Sequence, residues 1–168
     1  MSDRNEYWDG FKFKDTMEAK VFDINGDLKQ LHIDDDLITS AGKAAVASLL
    51  YAGTTVISGF TRIVIGSGNT AANVTDTALV AEGARGLATG SRITTSVTND
   101  TAQLVYVFSS GNPAGLNGAS TGTRAIEESG IINQVTTGQL LARQVFSPLN
   151  IDWDGGDSLQ ITWKVQIS

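Results

Sequence analysis

Along the last stretch of the chain, Leu159, Ile161, Trp163, Val165 and Ile167 alternate with Gln160, Thr162, Lys164 and Gln166. Successive side chains on a strand point to opposite faces, so the pattern predicts one β-strand with an apolar inner face and a wet outer face. Such a strand closes a sandwich or barrel. A second alternating region flanks Asn25-Gly26, with Val21 to Ile24 before it and Leu28 to Ile33 after it. Asn-Gly tolerates positive φ at both central positions of a type I′ turn, so residues 19–33 are expected to form a hairpin. Further strands are predicted at 60–65, 92–98, 102–109, 125–133, 140–147 and 159–167, with Asn99-Asp100 turning the chain between the second and third of these. Leu104 to Phe108 is apolar on both faces, which predicts a central strand. Residues 109–123 hold five glycines or prolines and few anchors, and are expected to form a mobile surface loop.

One segment breaks the period of two. Thr39 is a good N-cap, and the Ala-rich run after it favours a helix of three turns ending near Gly53. Val46, Leu49 and Leu50 fall on one face of that helix, and Asp34, Asp35 and Asp36 just before it suit the positive end of its dipole. The fold class expected is therefore all-β, an antiparallel, jelly-roll-like β-sandwich with one short α-helix near residues 40–52. Residues 1–18 are assigned to an N-terminal arm and 19–168 to a single sandwich domain. The leading segment has two readings: an extra strand capping the sheet, or an arm whose Tyr7, Trp8, Phe11 and Phe13 anchor it on a neighbouring subunit, as aromatic residues often do.

Charge sharpens this division. The net charge is -6 over 168 residues, and residues 1–36 alone hold ten acidic and five basic side chains. The body is nearly neutral. No cluster of Lys and Arg marks a nucleic-acid surface. There is no Cys, so disulfides and thiolate metal sites are out. No apolar run is long enough to span a membrane, and the first 30 residues are too charged for a signal peptide, so a chain that starts soluble in a cytoplasm is expected.

The candidate chemistry is thin. Gly66-Ser-Gly68-Asn-Thr-Ala71 follows a strand and fits G-x-G-x-x-A, but a dinucleotide site needs a helix starting in that loop and a βαβ unit. A glycine-rich turn is the better account. Asp152, Asp154 and Asp157 surround Gly155-Gly156 and make a weak calcium candidate, which a turn before the last strand explains equally well. Asp23 and Asp27 around Asn25-Gly26 invite the same comparison. Glu127-Glu128 resembles a glycosidase acid pair in composition only, because neighbouring strand residues face opposite ways. His32, the sole histidine, has no activated serine to serve. No enzyme activity and no cofactor are expected.

The order of several segments carries a resemblance. Ile38-Thr-Ser-Ala-Gly-Lys-Ala-Ala45 precedes the helix, and Phe60-Thr-Arg-Ile-Val-Ile-Gly-Ser-Gly68 forms a strand and glycine turn. Thr77-Ala-Leu79 follows, with Glu82 and Arg85, then Val97-Thr-Asn-Asp-Thr-Ala-Gln-Leu104. Ile126-Glu-Glu-Ser-Gly-Ile131, Gly138-Gln-Leu-Leu-Ala-Arg-Gln-Val-Phe146 and Gly156-Asp-Ser-Leu-Gln-Ile-Thr-Trp163 complete the series. Over residues 37–168 the chain resembles a family of small tailed-bacteriophage virion structural proteins. More distantly it is similar to the attachment domain of phage tail-collar fibre proteins. The resemblance implies a structural role in the virion through protein–protein contacts, with copies of itself (a trimer by family analogy) and with capsid, neck or tail proteins. Unlike a fibre protein, the chain is expected to end without a shaft. Tail, collar, baseplate or fibre attachment leads; capsid decoration and a carbohydrate-binding sandwich using Trp8, Trp153 or Tyr106 are the alternatives. Glu82, Arg85, Glu128 and Arg143 stand as isolated charges beside apolar residues, paired either within the fold or across subunits.

Overall fold

The computed structural model describes residues 12–50, 58–110, 122–134 and 136–168. Its strands form two antiparallel five-stranded sheets with one helix, an all-β sandwich. In chain order the elements are β1 (Phe13–Phe22), β2 (Leu28–Asp35), β3 (Leu37–Ile38), α1 (Ser40–Leu50), β4 (Arg62–Gly66), β5 (Glu82–Leu87), β6 (Thr89–Ile93), β7 (Thr101–Ser109), β8 (Thr123–Ile132), β9 (Leu140–Asp152) and β10 (Ser158–Ile167). One sheet runs β2-β1-β10-β7-β6 and the other β3-β9-β8-β4-β5. The closing strand read from its alternation is the middle of the first sheet, with β1 on one side and β7 on the other. Strand β7, expected to be central, is one place from the edge.

Alternation explains the shared core. Met17, Ala19 and Val21 of β1 and Leu159, Ile161, Trp163 and Val165 of β10 point inward. They pack against Ile63, Ile65, Ile126, Ile131 and Phe146 of the other sheet. Full burial of each large apolar side chain is worth ~1.5–3 kcal/mol. The indole of Trp163 is satisfied. Trp163 donates its indole N–H to Ser129 Oγ at 3.1 Å, and Ser129 donates to the Val64 carbonyl at 3.0 Å. This chain of two bonds crosses from one sheet to the other.

The helix begins as expected. The Thr39 hydroxyl accepts the Gly42 N–H at 2.9 Å and itself donates to the Leu140 carbonyl at 2.5 Å. Its buried face differs from expectation, because Leu49 and Leu50 are exposed while Gly42 and Ala45 are buried. A Cβ on Gly42 would lie 2.4 Å from the Leu141 carbonyl oxygen, so the helix seats its small residues directly on the β9 backbone. Asp34 and Asp35 belong to β2, and Asp36 lies beside Asp15 of β1 rather than in the helix's first turn. The proposed helix end near Gly53 falls outside the described residues.

Four local features differ from the sequence reading. At the first hairpin only Gly26 has positive φ, 87°, and Asn25 does not. Gly26 donates to the Asp23 carbonyl and Asp23 to the Asp27 carbonyl, giving a three-residue loop with Gly26 at its left-handed end instead of a type I′ turn. The strand placed at 92–98 is β6, which ends at Ile93. Asp100 gathers the N–H groups of Thr95, Ser96 and Val97 into a turn at 2.8–2.9 Å. Strand β5 had no counterpart in the hydrophobic pattern. Finally, β1 starts at Phe13, so the arm–body division at residue 18 falls inside a strand paired along its length with β10.

Candidate functional site

The most developed polar constellation is buried on the outer side of the second sheet. Glu128 of β8 is fully buried, and its carboxylate accepts the N–H groups of Gly68 (3.1 Å), Val80 (3.0 Å) and Ala81 (2.7 Å). Arg143 of β9, also buried, donates to it from Nε at 3.0 Å. The other guanidinium nitrogens reach Asp76 at 2.8 Å and the Thr70 carbonyl at 2.9 Å. Two adjacent strands thus hold the 67–81 connection from beneath, and Leu79 packs on Val64 and Ile132 under it. The four charges singled out from sequence pair within the chain: Glu128 with Arg143, and Arg85 with Glu82. Arg85 also donates to the carbonyls of Gln134 and Thr137.

This network accounts for the G-x-G sequence. A Cβ at Gly68 would lie 2.5 Å from a Glu128 oxygen, and one at Gly66 2.3 Å from the Ala81 carbonyl oxygen and 2.6 Å from Glu128. The glycines admit an internal carboxylate where a nucleotide site would admit phosphate, and no helix follows them. Glu128 is committed to four donors, with Glu127 beside it at an irregularity of the β8–β9 register, so the two do not form a facing acid pair.

Asp152, Asp154 and Asp157 are each engaged in shaping their own turn. Asp157 accepts Lys29 Nζ at 2.6 Å and the Asp152 N–H at 3.0 Å; Asp152 accepts the Gly155 N–H at 3.0 Å. Asp154 accepts the Gly122 N–H at 2.8 Å. Among the described residues no three His, Asp or Glu side chains converge as a metal's ligand set. Asp23 likewise caps its hairpin, accepting the N–H groups of Asn25 and Asp27. His32 lies against the Phe146 ring, centroids 5.1 Å apart.

Of the aromatic anchors, Tyr7, Trp8 and Phe11 lie outside the described residues. Phe13 is partly buried against the core. Trp153 is 1% exposed, and Tyr106 is half-buried with its ring on Phe108 and over Gly86. Neither offers an open ring for stacking a sugar. Exposed apolar side chains occur at several other places, among them Ile24, Leu50 and Val97; on β2, an edge strand, Leu31 and Ile33 are 50% and 56% exposed. They stand on the outer face beside Lys20 and Glu18, since Ala19 and Met17 face the core.

A second acidic group escaped the sequence reading. Asp15 occupies an inward position of β1, between Phe13 and Met17, and is 5% exposed. Its Oδ2 and both oxygens of Asp36 are shielded and lack hydrogen-bond partners among the described residues. Burial pushes the Asp15 carboxyl up to about 6, and burial with the Asp15 charge pushes Asp36 up to about 9. The signal was present in the alternation Phe13-Asp15-Met17-Ala19-Val21, where an acid stands in an apolar row.

No protein-family model, curated protein or solved structure matches the chain.

Proposed function

We propose that this chain is a non-enzymatic structural component of a tailed-bacteriophage particle, acting through protein–protein contacts at the tail, collar, baseplate or fibre-attachment site. The observation that carries the reading is β2, an edge strand among the described residues, which exposes Leu31 and Ile33 on a sheet face otherwise rich in polar groups. Large exposed apolar side chains grouped on a strand edge suit a subunit contact. The order of sequence segments over 37–168 supplies the viral context. The buried charges serve the fold itself, since Glu128, Arg143 and Asp76 are tied to one another and to backbone. The arm carrying Tyr7, Trp8 and Phe11 precedes the first residue of β1 and is a second contact element in this reading.

Gold-antibody labelling of intact particles from the source virus, viewed by electron microscopy, tests the proposal. Label at the neck or tail supports it. Label over the head replaces the tail role with capsid decoration, and unlabelled particles overturn a virion role. Removing residues 1–11, which leaves β1 whole, should weaken association with particles while the sandwich stays folded by circular dichroism. An unchanged association would remove the arm from the account.

A further inference from the structure

We infer that Asp15 and Asp36 form a pH-sensitive latch at the corner where β1, β3 and α1 meet, closed while these inward carboxyls are protonated and released as they ionise. This inference stands apart from the virion reading. The β1–β2 ladder pairs Met17 with Asp34 and Thr16 with Asp35 and ends there, leaving Asp15 and Asp36 as the next residue on either side, and both line one pocket. Three oxygens of this group, Asp15 Oδ2 and both of Asp36, are shielded from water and have no donor among the described residues. A carboxylate only accepts, so protonation of either group removes a buried charge that these shielded oxygens leave unmatched.

The surrounding charges do not relieve the pair. Lys12, before β1, and Lys43, on α1, line the same pocket but form no ion pair with either carboxyl. Asp34 and Asp35 of β2 add negative charge, which raises Asp36 further. Ionising both members would bury an uncompensated charge. The available relief is movement of the corner toward water. Phe13, Leu37, Ile38 and Val74 line the adjoining pocket of about 620 Å³, so opening exposes apolar surface next to the point where the N-terminal segment joins β1.

The full chain should be followed from pH 5 to 9 by site-resolved carboxyl NMR and amide hydrogen exchange, corrected for the intrinsic base dependence of exchange. One carboxyl of the pair should titrate far above the ordinary range. Opening at the amides of Phe13, Leu37 and Ile38 should rise by up to about tenfold per pH unit while one proton is being lost. Asp36→Asn keeps a hydrogen-bond donor at every pH and should make that opening independent of pH; Asp15→Asn provides the same test from the other strand. Flat opening in the wild type, an unchanged slope in both variants, or ordinary titration of both carboxyls would overturn the latch.

Discussion

Gly42 is a single residue whose substitution sets two effects against each other. Alanine raises helix propensity by up to about 1 kcal/mol. Its Cβ, however, would fall 2.4, 2.7 and 2.9 Å from Leu141 backbone atoms, which cannot swing aside as a side-chain tip can. Overpacking of this kind costs ~1–3 kcal/mol, so Gly42→Ala should destabilise by about 1–2 kcal/mol, read from the urea midpoint. Glu128 is the stronger case. In Glu128→Gln the new amide must turn an NH2 group toward a ring of donors from Gly68, Val80, Ala81 and Arg143. Removing one member of a buried ion pair costs ~3–5 kcal/mol. A loss of that order is expected in chemical unfolding, and the double variant with Arg143→Met should lose less than the sum of the two single changes. A sequence shows isolated charges at these positions. Their partner became visible only once the glycine turn and β8 were brought together.

At the scale of elements, β2 is where folding and association separate. Its inward side is tied down: Gln30 donates to the Asn150 carbonyl at 2.8 Å and accepts the Asn150 N–H at 3.2 Å, a side-chain clip onto β9. Its outward side, Leu31 and Ile33, touches little of the subunit. Leu31→Lys with Ile33→Lys should therefore leave the unfolding midpoint within about 0.5 kcal/mol of wild type. It should also shift any oligomer toward monomer in sedimentation velocity; an unchanged assembly would move the interface off this face. Strand β10 was legible because alternation records burial on one side, whereas β1 was read as a strand only from residue 19 and the apolar positions of β2 face outward. Strand β5 was not legible. Gly86 sits there because a Cβ would lie 2.2 Å from the Tyr106 ring, so contact with β7 selected a residue that strand propensity disfavours. Helix α1 was legible in position through its cap, but its buried face was misread because close backbone approach selected Gly42 and Ala45 over the larger leucines.

For the whole molecule, the acidic groups divide into two sets with opposite pH signatures. Asp100 is held below the usual carboxylate range, first by the Val97 N–H and then by those of Thr95 and Ser96; Asp23 is lowered by the Asp27 N–H. A depressed carboxyl contributes stability above its unfolded pKa and loses it as pH falls through the folded value. Asp15 and Asp36 work in the other direction. Their folded values are raised to about 6 and about 9, so their protons favour the folded chain fully below about pH 4. That contribution is lost as pH rises, through Asp15 up to about 6 and through Asp36 up to about 9. The two sets leave a maximum between them, near pH 4–5, on the acid side of the ~5–8 range usual for folded proteins. Urea unfolding at a series of pH values from 3 to 9 should give a midpoint that rises and then declines through neutrality. Asp36→Asn should flatten the decline and leave the acid limb in place, whereas Asp100→Asn should weaken the acid limb alone. A midpoint that climbs from pH 5 to pH 8 in the wild type would show that the inward acid pair does not govern the stability of this sandwich.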